Sequence, residues 1–117
     1  MIALVKQQIA KEARESIYAA HPQLIERFGE NGIIHTEKDN MHHLDHLESA
    51  YSLNQVQLFL DYTKWLETVL SSRNVGTHLI IDNFERLIAI IPGKTELDEE
   101  AFMLHCLEQA IQLLGNN

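Results

Sequence analysis

Apolar side chains return once per helical turn along most of this chain. Ile2, Val5, Ile9, Ala13 and Ile17 fall near one face at about 100° per residue, which predicts a first helix from about Ile2 to Ala20. His21-Pro22 breaks or kinks it, because proline discourages helix in the residue before it and suits a first turn. A short segment, Gln23 to Phe28, follows and ends at Gly29. The second helix is expected from Thr36, where Thr36 and Asp39 resemble a capping box, to about Tyr51. The third starts at Asn54, read as an N-cap with Gln57 three residues on, and reaches about Ser72. The fourth spans Thr77 to Ile91 and is stopped by Pro92-Gly93. The fifth begins near Asp98, where neighbouring acids suit a positive helix start, and ends at Gly115. No strand-like alternation, repeat or low-complexity segment competes. The predicted fold class is therefore all-α: one domain over residues 1–117, a bundle of five main helices, globin-like or four-helix-bundle-like in outline.

The third and fourth helices are the most apolar and are expected to make the core. Val56, Leu58, Phe59, Leu60, Tyr62, Trp65, Leu66, Val69 and Leu70 cover more than half the circumference of the third, which predicts contact on several sides. The fifth helix carries one apolar face (Met103, Leu104, Leu107, Ala110, Ile111, Leu114) and a second strip at Phe102, Cys106 and Leu113. A second strip either lies between layers or meets a partner. In so short a chain it predicts a homodimer or a protein partner on that strip; cover by the first helix is the other solution.

Charge narrows the partners. Seventeen acidic against nine basic side chains give a net charge of -8. With no basic stripe to offset it, nucleic acid and anionic membrane surfaces are disfavoured. No apolar run is long enough to span a bilayer, and the N-terminus turns polar too early for a signal peptide. The lone Cys106 fits a reducing cytoplasm, and the expected location is cytoplasmic.

The chemistry-bearing stretch is Asp39-Asn40-Met41-His42-His43-Leu44-Asp45-His46. His42 and His46 are one turn apart on the solvent side, and Asp39 precedes them on the same helix. Two imidazoles and a carboxylate in that pattern suit a divalent transition metal. The order lacks the glutamate of the His-Glu-x-x-His zincin motif, and no Glu-x-x-His pair points to a di-iron bundle. The plainer reading leaves His42 and His46 as surface residues and His43 as a boundary histidine bonded to a neighbour. Tyr62 and Trp65, three residues apart, line a ligand pocket with His43 in one reading and are ordinary core in the other. Glu48, on the buried face of the second helix, is a candidate acid of raised pKa in one reading and in the plainer one lies at the end of the stripe and reaches water. No phosphate loop, nucleophile elbow or Cys-x-x-Cys recommends an enzyme.

His43-Leu44 with Leu47 and Ala50, then Phe59, Tyr62, Trp65-Leu66, Val69-Leu70, Arg73 and Val75, resembles helical regulatory modules of bacterial signalling proteins. Some of these adjoin cobalamin-binding domains; others are non-haem globin-like sensor domains of stress-response regulators. The resemblance covers about His42 to Ile91 and rests on helix-packing residues. It implies a sensory or protein-interaction module rather than a catalyst. The chain departs from it in lacking the Asp-x-His-x-x-Gly motif of cobalamin-binding domains. A haem or tetrapyrrole reading has His43 as its nearest ligand. The leading expectation is a non-enzymatic, homodimeric regulatory module without a cofactor, sensing a small ligand; the alternative is a metal-binding protein using Asp39, His42 and His46.

Overall fold

The computed structural model describes residues 1–116. It is all-α, with five helices and, among the described residues, no strand: α1 (Ala3–Ala20), α2 (Gln23–Leu53), α3 (Val56–Ser72), α4 (Thr77–Ile90) and α5 (Leu97–Gly115). Every helix feeds one apolar cluster. Ile9 and Ala13 come from α1, Leu44 and Leu47 from α2, Phe59 and Leu66 from α3, Phe84 and Leu87 from α4, and Met103, Leu107 and Leu114 from α5. The core is thus shared by five helices, where the sequence had pointed to two. None of them is long and apolar enough to cross a membrane.

Helix α2 departs most from expectation. No loop separates Gly29 from Thr36; helix resumes immediately, and the ordered element reaches Leu53. Gly29 itself is non-helical, at φ 68° and ψ -168°. That region is essentially reserved for glycine, so the residue bends the rod without ending it. Thr36 is consequently mid-helix and caps nothing. Its hydroxyl donates to Gly32 O at 2.8 Å, the back-bond that a threonine makes inside a helix.

Asn54 closes α2 instead of opening α3. It adopts φ 51° and ψ 45°, and its N–H bonds to the carbonyls of Ala50 and Tyr51. Asparagine tolerates this left-handed geometry, which is why it serves as a C-cap. Gln55, in extended conformation, is the N-cap of α3.

Helix α3 is buried on one face only, along Phe59, Tyr62, Thr63 and Leu66. Trp65 is 60% exposed, so apolar content overstated its enclosure. On α5 the expected second strip is only partly at the surface. Cys106 is fully buried, and Phe102 is half-buried with its ring edge against Tyr51 of α2, 5.6 Å between centroids. Leu113 is also half-buried. The helices packed on α5 are α2, α3 and α4, so its cover is not the first helix.

Charged groups join α1 to its neighbours. Lys6 Nζ donates to Asp45 Oδ1 and Glu48 Oε1, both at 2.9 Å, and the Met1 ammonium lies 3.0 Å from Glu99 and 3.2 Å from Glu48. Burial pushes the Glu48 carboxyl up, but hydrogen bonds from Lys6 and the ammonium outweigh it and the net shift is downward. Of the two sequence readings of Glu48, the raised acid is corrected, and the side chain reaches water.

Candidate functional site

A cavity of about 290 Å³ opens between the C-terminal half of α1, the kinked first half of α2, the end of α3 and the start of α4. The bend at Gly29 shapes one wall, because it sets Leu24 and Phe28, before the bend, against Gly32 and Thr36, after it. Gly32 allows a close approach there. A Cβ added to it would lie 2.6 Å from Phe28 Cβ and 3.1 Å from the Tyr18 hydroxyl. The opposite wall is apolar: Leu66 and Leu70 from α3, Leu79 and Ile80 from α4.

Polar groups interrupt this lining at a few fixed points, the usual construction of a ligand site. His43 is only 3% exposed and lines the cavity. Its Nδ1 is 2.6 Å from the Tyr62 hydroxyl, and its ring stands edge-on to Phe84 at 5.2 Å. Burial, then the charges of His42 and His46, press its pKa down to about 3. Burial likewise raises the Tyr62 phenol, which therefore keeps its proton. A neutral imidazole facing a protonated phenol is satisfied in either tautomer, accepting the phenol proton at Nδ1 or donating Nδ1–H to the phenol oxygen. With Nδ1 engaged, Nε2 is the nitrogen left to meet a ligand.

Asn83 lines the cavity beside it. It is locked to Asn40 by two reciprocal amide bonds, 2.7 and 3.1 Å, and Asn40 also donates to Thr36 O. Both amides are buried. Tyr18 OH lies 3.4 Å from Thr36 Oγ1; since that oxygen gives its proton to Gly32, the tyrosine is the donor. Asp82 is held on the α4 side by Arg86 (2.8 and 3.2 Å), which also donates to Ser16 of α1. Burial pushes the Asp82 carboxyl up, but Arg86 and His21 bring the net shift down.

Asp39 contrasts with Asp82. It lines the cavity half-buried, and among the described residues no hydrogen bond or ion pair reaches its carboxylate. Burial raises its pKa against the opposing charges of His42, His35 and Arg73. His35 and Arg73 also line the cavity, both exposed at its mouth.

The structure splits the residues that the sequence grouped. Of the expected pocket set, His43 lines the cavity, Tyr62 stands behind it as its hydrogen-bond partner, and Trp65 lies on the surface. Of the expected metal set, Asp39 faces the cavity while His42 and His46 are exposed. The His46 ring lies flat on Tyr62, centroids 3.8 Å apart, and burial lowers its pKa. Among the described residues no group of three or more His, Cys, Asp and Glu side chains is placed to hold a metal ion. The boundary position assigned to His43 is corrected to full burial. Cys106 sits inside the core with its thiol pushed up to about 11 by burial, far from the thiolate a nucleophile needs.

Tyr18, Phe28, His35, Asn83 and Arg73 were not singled out together because four helices bring them in. One sequence signal was available: Asn40 and Asn83 each interrupt an apolar stripe, at Asn40-Leu44-Leu47 and Ile80-Asn83-Phe84-Leu87. No family model, curated protein or solved structure matches the chain.

Proposed function

We propose that this protein is a non-enzymatic regulatory module of the cytoplasm that binds a small molecule in the cavity between α1, α2, α3 and α4. The observation that carries the reading is the pairing of apolar walls with a neutral polar floor, His43 and Asn83, each already fixed by a partner. Fixed donors and acceptors cost little to organise on binding, so they orient a ligand efficiently. A volume of about 290 Å³ is at the lower end of ligand sites, roughly 300–1,000 Å³, and points to a small ligand.

The chemistry of the floor argues for binding over turnover. His43, neutral down to about pH 3, is a poor general base near neutrality, and Cys106, its thiol pushed up to about 11 by burial, does not line the cavity. Homodimerisation, expected from the sequence, loses Cys106 as a contact because that residue is inside the protomer.

A thermal-shift screen of small amphipathic fragments tests the reading, with Leu79→Trp as a cavity-filling control. Fragments should raise the melting temperature of the native chain and not that of the variant. Equal shifts in both, or none in either, overturn it.

A further inference from the structure

We propose that the ligand of this cavity is a small zwitterion, an α-amino acid with an apolar side chain, whose ammonium meets Asp39 and whose carboxylate meets Arg73. The inference rests on the cavity being a small-ligand site and adds the ligand's chemistry. Two opposite charges line the same cleft, and among the described residues neither side chain has a hydrogen-bond or ion-pair partner. They do not pair with each other, although the charges of His42, His35 and, least of the three, Arg73 act on Asp39. The other lining acid, Asp82, is already saturated by Arg86.

Partial burial in the cleft disfavours the charged form of Asp39, and the most direct compensation is a positive ligand group. An amine alone would satisfy Asp39 and leave Arg73 unused. An anion alone would serve Arg73, place its charge in a cleft that also holds Asp39, and approach a protein of net charge -8. A zwitterion answers both charges at no net cost in charge. Placement agrees with this division. Arg73 is exposed at the mouth and Asp39 is half-buried, so the charged end stays near water. The apolar side chain then lies against Leu70 and Leu79. Guanidinium and carboxylate match as a two-pronged pair, which suits Arg73 to the carboxylate end.

Titration calorimetry on the full chain near neutral pH tests this with L-phenylalanine, L-leucine, phenethylamine and hydrocinnamate. The amino acids should bind at least about tenfold more tightly than the analogues bearing one charge. Asp39→Asn and Arg73→Gln should each remove that advantage while leaving the helical circular dichroism unchanged, since neither side chain holds the fold. The proposal is overturned if phenethylamine matches L-phenylalanine, if hydrocinnamate does, or if either variant binds the amino acids as the native chain does. No binding by any of the four also overturns it. If fragments still enter the cavity in the thermal screen, only the ligand's chemistry has failed; if they do not, the cavity reading has failed with it.

Discussion

The hydrogen bond between His43 and Tyr62 holds a titratable ring in the core without charging it. Tyr62→Phe removes the partner and leaves the imidazole's Nδ1 unpaired in a buried place. The expected cost is about 1–3 kcal/mol in urea denaturation, in keeping with an orphaned buried polar group. The Asn40–Asn83 pair follows the same rule with a sharper test. Asn40→Leu alone should cost about 1–3 kcal/mol, because it strands the Asn83 amide, whereas Asn40→Leu with Asn83→Leu should be less damaging than the sum of the two single changes. Additive costs would mean that the two amides do not act as a unit. Residues of this kind were partly legible. His43 stood out by its neighbours and by the apolar stripe at its edge. Its burial was not legible, because helical angles place it beside the core and only the approach of Tyr62 and Phe84 from α3 and α4 encloses it. Trp65 shows the converse: an apolar residue on an apolar helix whose side of the rod no other element covers among the described residues.

Helix periodicity located all five elements, and errors gathered where one residue has two local solutions. Thr36 and Asn54 are good N-caps in isolation, yet Thr36 back-bonds within α2 and Asn54 turns left-handed to end it. Gly29 reads as a stop, but the chain resumes helix directly after it, with Phe28 and Gly32 close across the bend. The cavity depends on these two glycines in different ways. At Gly29 a Cβ would meet nothing within 4 Å, so Gly29→Ala is penalised only by the backbone, by about 1–3 kcal/mol. At Gly32 the added methyl strikes Phe28 near its backbone, where little can yield. Gly32→Ala should therefore change ligand binding as well as stability, and Gly29→Ala chiefly stability. Calorimetric affinities of the two variants, measured well below their melting points, separate these outcomes. The α5 strip lost Cys106 to the protomer's own core for a related reason. A second apolar line on one helix cannot tell a partner chain from the body of its own.

Across the molecule, acid sensitivity follows from groups whose protons differ between the folded and unfolded chain. His43 takes up its proton near 6.5 when unfolded and only near 3 when folded. Between those values the unfolded chain holds more protons, so stability falls as pH drops, by up to about 1.4 kcal/mol per pH unit. Asp82 and Glu48, held below the usual carboxylate value, lose stability in the same direction at still lower pH. Asp39, raised by burial, works the other way and loses stability as pH rises through its folded value. Denaturant midpoints between about pH 6.5 and 4 should decline in the native chain and flatten in His43→Gln. An unchanged slope in the variant would assign the acid sensitivity elsewhere.

Methyl carbon NMR of the isoleucine, leucine and valine side chains tests the binding cavity most directly, through titration with an amphipathic fragment or with L-phenylalanine. The methyls of Ile17, Leu24, Leu70, Leu79 and Ile80 should move in a saturable way, while those of Ile111 and Leu114 on α5 stay in place. Shifts spread evenly over both groups, or confined to α5, would contradict a ligand seated between α1, α2, α3 and α4.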